Sequence, residues 1–205
     1  WEQNTSNQRW ILLIAYLVGL SIGVHLLCLL ALPTVVLVYY FAQYRFSWRS
    51  FFVAILASLG VLFFVLYLFM PGVLLLLQAS ELLFANLLGC THNLGAAIGL
   101  LVLFATLGYL LHFTYRTGRS KWHLRFLMLA LLLLGYSSYT LIVVRASAAP
   151  PLNLNAPNNV FALADYLSRE QYGNRPLFYG QYYSAPITDV REQESWQTDT
   201  IGYRR

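Results

Sequence analysis

The sequence predicts an all-α polytopic transmembrane segment of about five spans, followed by an extracytoplasmic tail that is ordered only in part. Of the 205 residues, 59% are hydrophobic and only 10% are charged, and the mean hydropathy is +0.58. A soluble domain carries about 25% charged residues, so this composition excludes an ordinary soluble globular protein. The apolar residues also occur in runs long enough to cross a bilayer as helices.

The first apolar run, residues 10–41, is predicted to form two helices. A single helix would be about 48 Å long, well past the roughly 30 Å hydrocarbon core. Four small or polar residues interrupt its middle: Gly19, Ser21, Gly23 and His25. We therefore predict spans at residues 10–22 and 26–41, joined by a turn at His25. The first helix is only about 20 Å long, which puts the turn below the membrane surface. Irregular backbone at that depth is tolerated only against protein or a water-filled cavity, so the turn is a candidate site.

Three later runs predict complete spans, since a helix needs roughly 20 apolar residues to cross the hydrocarbon. They cover residues 51–70, 94–115 and 126–144. The Pro71-Gly72 pair is expected to end the first of them. Together these helices define a predicted transmembrane region over residues 1–145.

Residues 146–205 form the predicted extracytoplasmic tail. It begins with an extended connector rich in Pro and Asn. A short helix is predicted near residues 160–171, because apolar residues recur there at helical spacing. Asn158 or Asn159 is expected to be its N-cap.

Charge is distributed unevenly along the chain. Residues 1–145 contain eight Lys and Arg but two acidic residues, whereas residues 146–205 contain five Arg and six acidic residues. The net charge of +5 therefore comes from basic loops between spans, and no nucleic-acid partner is expected. Cys28 and Cys90 form neither a disulfide framework nor a metal cluster, and we expect no metal and no cofactor.

Basic residues also set the predicted orientation. With five crossings, seven of them fall on one side of the membrane: Arg9, Arg45, Arg49, Arg116, Arg119, Lys121 and Arg125. The loop of residues 78–93 on the other side has neither Lys nor Arg. The positive-inside rule places the basic side in the cytoplasm. The His25 turn, the 78–93 loop and the chain after Arg145 are then predicted to face outward.

Polar residues near membrane depth are the candidate site residues, because the usual soluble-enzyme motifs are missing. His25 has two interpretations: an imidazole that contacts an anionic ligand or relays a proton, or a ring bonded to backbone freed by the turn. Asn93 could bond a sugar or phosphate, or cap a loop edge. Arg145 is either a phosphate clamp or a snorkelling side chain, with the second favoured. For Glu81, a solvated loop acid is favoured over a catalytic acid.

The segment of residues 136–140 is a polar patch within the last predicted span, and helix–helix hydrogen bonding is its expected role. The chain opens with Trp1 and has no basic n-region, so no signal peptide is visible. We expect the sequence to be an internal piece of a longer protein.

Several blocks, in order over nearly the whole chain, carry a family resemblance. They are residues 19–27 with 31–33, 81–86 with 89 and 93–95, 135–139, 145, 150–153 and 166–173. The run Arg169-Glu170-Gln171-Tyr172-Gly173 is fairly specific. These blocks resemble a bacterial polytopic membrane family called domain of unknown function 2723, which is related to eukaryotic protein O-mannosyltransferases of the GT-C type. The segment Cys90-Thr91-His92 departs from the family pattern.

The resemblance implies a glycosyltransferase that moves a sugar from a polyprenyl-phosphate donor to an acceptor, expected to be a protein. The reaction would take place at the outer face of the cell inner (cytoplasmic) membrane, among membrane lipids. His25 and Arg145 would bind the donor, as would Asn93, and the catalytic acid is expected upstream of this piece. The alternative is a non-enzymatic membrane scaffold or a transporter of lipid-linked substrates, since broken helices with polar turns occur in transporters too.

Overall fold

The computed structural model describes residues 2–153 and 155–168, with two short segments at residues 197–198 and 203–204. The all-α prediction is confirmed. The α-helices are α1 Glu2–Val24, α2 Ala31–Gln43, α3 Trp48–Phe63, α4 Met70–Leu82, α5 Leu94–Arg116, α6 Ser120–Tyr136, α7 Thr140–Ser147 and α8 Val160–Ser168. Leu26–Leu30 and Ser137–Tyr139 are 3₁₀-helices, and Phe64–Phe69 and Leu83–Leu87 are π-helices. In the tail, β1 Gln197–Thr198 pairs antiparallel with β2 Tyr203–Arg204.

In the part of the chain that the structure describes, four helical stretches are long and apolar enough to cross a membrane: Leu26–Gln43, Trp48–Leu87, Leu94–Arg116 and Ser120–Ser147. A further apolar helix, Gln8–Val24, is shorter. Large apolar side chains such as Leu56, Leu101 and Leu141 are exposed along these helices, as expected of surfaces that face lipid. The chain is therefore a multi-pass membrane protein. The number of crossings, predicted as five, stays a prediction.

The chain folds as two compact units. The first contains Trp1–Leu76 and Leu100–Leu141, and the second contains Leu77–Gly99 and Ile142–Arg205. These units do not coincide with the predicted transmembrane region, residues 1–145, and tail, residues 146–205. The membrane boundary at Arg145 stays a prediction. The loop predicted at residues 78–93 is helical as far as Leu87, and its Leu82 and Ala85 pack against α8.

In the first unit, α1 packs along α6 and α2 packs along α3. Aromatic rings contact one another along the connection between α2 and α3 and the first turn of α3. The centre of the Phe51 ring lies 5.7 Å from that of Phe46 and 6.4 Å from that of Trp48. Arg45 and Arg49 lie in the same stretch of sequence. Aromatic and basic residues together are typical of a membrane–water interface, which fits this connection to the end of a span.

The predicted helix break at Pro71-Gly72 is wrong, because the helix continues from Trp48 to Leu87. Proline lacks an N–H group, and its ring clashes with the carbonyl of the residue four positions earlier in an α-helix. Here a π-helix precedes the proline, and the Met70 N–H donates to the Val65 carbonyl five residues back. The wider π-turn accommodates the proline without ending the helix.

The second unit has a small apolar core. Phe161 and Val160 of α8 are buried against Ala85, and the partly buried Leu77, Leu82 and Ala96 surround them. The predicted helix near residues 160–171 is observed as Val160–Ser168, and residues 169–171 lie outside the described part of the chain. Asn159 is its N-cap, since Asn159 Oδ1 accepts from the amides of Phe161 at 3.0 Å and Ala162 at 2.9 Å.

Candidate functional site

Two interruptions of the apolar helices hold the polar residues of interest. The first break is residues 25–30, between α1 and α2, and it lies in the first unit. The second break is residues 88–93, between the π-helix Leu83–Leu87 and α5, and it lies in the second unit. Each break frees backbone groups that lipid cannot satisfy, so each needs partners from protein or water.

At the first break, α1 and α6 approach closely through glycine. A Cβ atom on Gly135 would lie 2.6 Å from the Tyr16 carbonyl oxygen and 2.7 Å from the Gly19 carbonyl carbon. A Cβ on Gly23, one turn further along α1, would lie 3.0 Å from the Ser138 hydroxyl oxygen. Small residues four apart allow helix backbones to pack this closely in membranes. The end of α1 is therefore held against α6 and the 3₁₀-turn that follows it.

A hydroxyl from that 3₁₀-turn satisfies the end of α1. Tyr139 is buried, and its hydroxyl donates to the Ile22 carbonyl at 2.7 Å. The last carbonyls of a helix have no partner within the helix, and Ile22 is in the last turn of α1. The predicted role of residues 136–140 in helix–helix hydrogen bonding is thus confirmed for Tyr139.

His25 begins the 3₁₀-helix of the first break. Its backbone is extended, with φ −160° and ψ 122°, and its Nδ1 accepts from the Leu27 amide at 3.1 Å. This bond requires Nδ1 to carry no hydrogen, so the hydrogen of the neutral ring lies on Nε2. The side chain is exposed. One ring nitrogen therefore caps backbone, as the structural interpretation expected, and Nε2 is the nitrogen that a ligand could contact.

Glu81 organises the second break. The side chain is fully buried, and its two carboxylate oxygens accept from the backbone amides of Asn93 at 2.6 Å and Ala96 at 2.9 Å. Asn93 directly precedes α5, and Ala96 lies in its first turn. In an ordinary capping box two side chains share these amides, whereas here one carboxylate takes both. The expectation of a solvated loop acid at Glu81 is wrong, because a buried carboxylate must be bonded and the start of α5 supplies the donors.

Glycine again permits the close approach. A Cβ on Gly95 would lie 2.6 Å from the Ser80 carbonyl oxygen and 2.7 Å from the Glu81 Cα. A Cβ on Gly99 would lie 2.6 Å from the Ser80 hydroxyl oxygen. The start of α5 can therefore lie directly on the turn that carries Glu81, which brings the amides within reach of the carboxylate.

Asn93 joins this break to the tail. It has a left-handed backbone with φ 70°, and its Nδ2 donates to the Asn158 carbonyl at 2.8 Å. The Ser147 hydroxyl, at the end of α7, also donates to the Asn158 carbonyl, at 3.5 Å. Since Glu81 caps α5, the Asn93 side chain is left to hold the chain just before α8. Its amide nitrogen thus has a structural partner.

Arg145 lies in the last turn of α7 and is exposed. Its neighbour Ala146 is buried, and the Ala146 carbonyl accepts from Asn153 Nδ2 at 3.1 Å. These contacts hold the backbone next to Arg145, whose side chain is exposed. A guanidinium in this position can present several N–H donors to a phosphate.

The three predicted site residues thus fall in two units, with His25 in the first and Asn93 and Arg145 in the second. Within the second unit, Asn93 and Ser147 both donate to the Asn158 carbonyl, and Ser147 is two residues from Arg145 in sequence. Sequence reasoning missed the buried role of Glu81. Two signals could have found it: a lone carboxylate in an apolar run, and the Gly-x-x-x-Gly spacing of Gly95 and Gly99.

Comparison with known proteins gives one family match. Residues 1–48 match the family described as protein O-mannosyl-transferase TMEM260 N-terminal domain. The matched residues contain α1, the first break and α2. No curated protein and no solved structure gives a significant match to the chain. Through residues 1–48, the chain is similar to protein O-mannosyltransferases.

Proposed function

We propose that this chain is part of an integral-membrane glycosyltransferase. In this proposal the enzyme transfers a sugar, mannose by the family match, from a polyprenyl-phosphate donor to a protein acceptor on the extracytoplasmic side. The single observation that carries the proposal is the match over residues 1–48, because it contains the first break. The second family resemblance, to domain of unknown function 2723, adds support along the rest of the chain.

The geometry of the first break supports a binding role. The backbone at this break is held by protein on one side, through Gly19, Gly23 and Tyr139. The exposed face of the break carries His25, whose Nε2 hydrogen can donate to a phosphate or sugar oxygen. In this proposal His25 contacts the donor by a neutral hydrogen bond.

In the second unit, Arg145 is proposed to contact the donor phosphate and Asn93 to position the surface beside it. An exposed guanidinium suits a phosphate because it forms charge-assisted, bidentate hydrogen bonds. Asn93 retains its Oδ1 for a sugar hydroxyl, while its Nδ2 holds Asn158. Glu81 receives no catalytic role, because both oxygens bond to backbone amides. The general base is proposed to come from another part of the enzyme.

Donor binding tests this assignment most directly. We would reconstitute the protein in liposomes and measure the equilibrium binding of radiolabelled polyprenyl-phosphate mannose. Loss of a charged hydrogen bond weakens binding by about tenfold or more, so Arg145→Gln is expected to raise the Kd by that factor. His25→Ala should raise it by a smaller factor, about threefold.

Two matched variants serve as controls: Arg49→Gln, an exposed arginine beside the aromatic interface, and His112→Ala, an exposed histidine on α5. Both should bind the donor as the unaltered chain does. Equal affinity in all four variants would contradict the proposed site. Binding without transfer of labelled mannose to a protein acceptor, measured in the longer protein, would favour a transporter of lipid-linked substrates. Absence of binding would favour a scaffold.

Orientation is a separate part of the proposal. In a chain with Cys28→Ser and Cys90→Ser, single cysteines at Ser120 and Ala148 are expected to label from opposite sides of the membrane. Both positions are exposed, so access should depend on the side alone. Ala148 should react with a reagent that cannot cross the membrane in intact cells. Labelling of both from one side would overturn the proposed topology.

A further inference from the structure

The first unit contains an apolar cavity of about 620 Å³. It lies among α1, α2, α6 and the end of α3, and it reaches from Arg125 near the start of α6 to Leu132 two turns later. The volume falls in the range of roughly 300–1,000 Å³ that small-molecule sites occupy. The proposed donor-binding residues do not line it.

The lining has one polar end. The described residues that line the cavity are apolar except for Arg125 and the hydroxyl of Tyr39. Val65 and Leu132 are buried along its wall, and Val36 of α2 also lines it. An apolar cavity of this size offers few partners for a polar ligand, whereas a hydrocarbon chain would restore the packing contacts that its walls lack.

Arg125 is placed as a headgroup contact. Its side chain is exposed, and the guanidinium carbon lies 4.7 Å from the centre of the Trp122 ring. Stacking on tryptophan fixes the plane of the guanidinium and leaves its edge N–H groups free to donate. Tryptophan is also enriched at the level of lipid headgroups.

Among the side chains that the structure describes in the first unit, none is a carboxylate that could neutralise Arg125. In sequence this unit has one acidic residue, Glu2, nine residues before the first residue that lines the cavity, and the next acidic residue is Glu81. Glu81 belongs to the second unit, where its oxygens bond to the amides of Asn93 and Ala96. Nearby charges in sequence, Arg119 and Lys121, are also positive. The positive charge of Arg125 at the cavity rim would therefore be neutralised by an anion from outside the chain.

We propose that the cavity binds an anionic glycerophospholipid. One acyl chain occupies the apolar space between α1, α2 and α6, and the lipid phosphate contacts Arg125. A free phosphate ion would leave the cavity unfilled, and a zwitterionic lipid would bring a cation that offsets the charge of its own phosphate. The bilayer leaflet next to the basic loops supplies both parts of the ligand at high local concentration.

Native mass spectrometry on the detergent-purified chain tests the proposal. Phosphatidylglycerol and phosphatidylcholine with identical acyl chains would be titrated separately. We expect phosphatidylglycerol to bind at least fivefold more tightly. Val36→Phe fills the cavity and should weaken binding of both lipids by about tenfold. Arg125→Gln should remove the preference for phosphatidylglycerol and weaken phosphatidylcholine binding less, because the choline cation already offsets the phosphate charge of that lipid.

Two variants control for surface effects. Val38→Phe makes the same change two residues away on the same helix, where the side chain is 63% exposed. Arg116→Gln removes a neighbouring basic charge that does not line the cavity. Both should retain the affinity and preference of the unaltered chain.

Three outcomes would overturn the proposal. Equal binding by the Val36→Phe and Val38→Phe variants would show that lipid binds elsewhere. Retained preference in Arg125→Gln would show that Arg125 does not contact the headgroup. Displacement of phosphatidylglycerol by a tenfold lower concentration of polyprenyl phosphate, lost in Val36→Phe, would assign the cavity to the sugar donor's lipid instead.

Discussion

At both helix breaks a side chain bonds to backbone groups that the interrupted helix leaves without helical partners, but the side chains differ in chemistry. In both, a pair of glycines four residues apart lets two backbones touch, and a side chain from the opposite segment satisfies the interrupted helix. At the first break the neutral hydroxyl of Tyr139 donates to a carbonyl at the end of α1. At the second break the charged carboxylate of Glu81 accepts from amides at the start of α5.

The difference follows from helix polarity. The end of a helix presents carbonyls and a partial negative charge, whereas its start presents amides and a partial positive charge. A neutral hydroxyl can donate to the carbonyls at the end of a helix, and no charged group has to be removed from water. A carboxylate is a better partner for the amides at the start of a helix, because it gains from both the hydrogen bonds and the helix dipole. The second break should therefore be far more sensitive to loss of its partner than the first.

Removal of the carboxylate should have the largest effect. Glu81→Ala removes the buried acceptor of two amides, and each lost hydrogen bond is worth about 1–3 kcal/mol, so the free energy of unfolding should fall by about 3 kcal/mol. Glu81→Gln keeps one acceptor oxygen and should lose about half as much. Unfolding by detergent titration measures both.

The matched control is Gln78→Ala, a neutral change on the same helix that should alter stability little. Hydrogen exchange adds a local test, since the amides of Asn93 and Ala96 should exchange faster only in the Glu81 variants. Unchanged exchange at these two amides would contradict the assigned cap.

Glycine substitution comes next in size. Gly135→Ala introduces a Cβ 2.6 Å from the Tyr16 carbonyl oxygen, which α1 can avoid only by moving away. We expect a loss of about 2 kcal/mol in the free energy of unfolding. Gly95→Ala should cost about the same, because its Cβ would also meet backbone.

Gly108→Ala is the control for both, since no atom lies within 4 Å of its Cβ position. Alanine ordinarily favours a helix over glycine by about 1 kcal/mol, so this variant should be more stable than the unaltered chain. The same sign of change at Gly108 and Gly135 would argue against a close contact of α1 with α6.

Loss of the hydroxyl partner should have a smaller effect. Tyr139→Phe removes one hydrogen bond within the membrane, worth about 1 kcal/mol. Tyr136→Phe is the paired comparison, because the Tyr136 hydroxyl is buried and has no hydrogen-bond partner in the described part of the chain. Its removal should leave stability unchanged or raise it. Thermal unfolding of the two variants in one detergent compares them, and an equal loss in both would contradict the assigned bond to Ile22.

The smallest effect is expected at His25. His25→Ala removes an exposed cap of a five-residue 3₁₀-helix, so the loss in stability should be about 0.5 kcal/mol. His25→Asn can restore the cap through its side-chain oxygen. Faster hydrogen exchange at the Leu27 amide in the alanine variant, reversed in the asparagine variant, is the expected result. Equal exchange in both would indicate that Nδ1 does not hold this amide.

Sequence patterns located the first break well and the second poorly. At the first, the length limit on one helix and the Gly-Ser-Gly-His cluster are local signals, and α1 ends at Val24, two residues from the predicted limit. At the second, the decisive bonds join Glu81 to amides 12 and 15 residues later. Local composition cannot show which donors a buried carboxylate will reach.

The helix break predicted at Pro71 was wrong because it, too, depends on a feature that local composition does not show. Proline ends most helices, and only the register of the preceding turn decides otherwise. Here a π-turn shifts that register, with the Met70 amide bonded to Val65. Such a turn has no composition signature, so the continuous helix from Trp48 to Leu87 could not be predicted from the residues alone.

The pairing of Glu81 bears on how the protein enters the membrane. During synthesis the long apolar helix emerges before α5, so Glu81 can accept from the amides of Asn93 and Ala96 only after these residues follow. At roughly 5–20 residues per second, that interval is about a second. A carboxylate that lacks these two hydrogen bonds is costlier to place in hydrocarbon, so the two helices should be released from the translocation machinery together as a hairpin. The carboxylate would then time the insertion of its own helix by the arrival of the next.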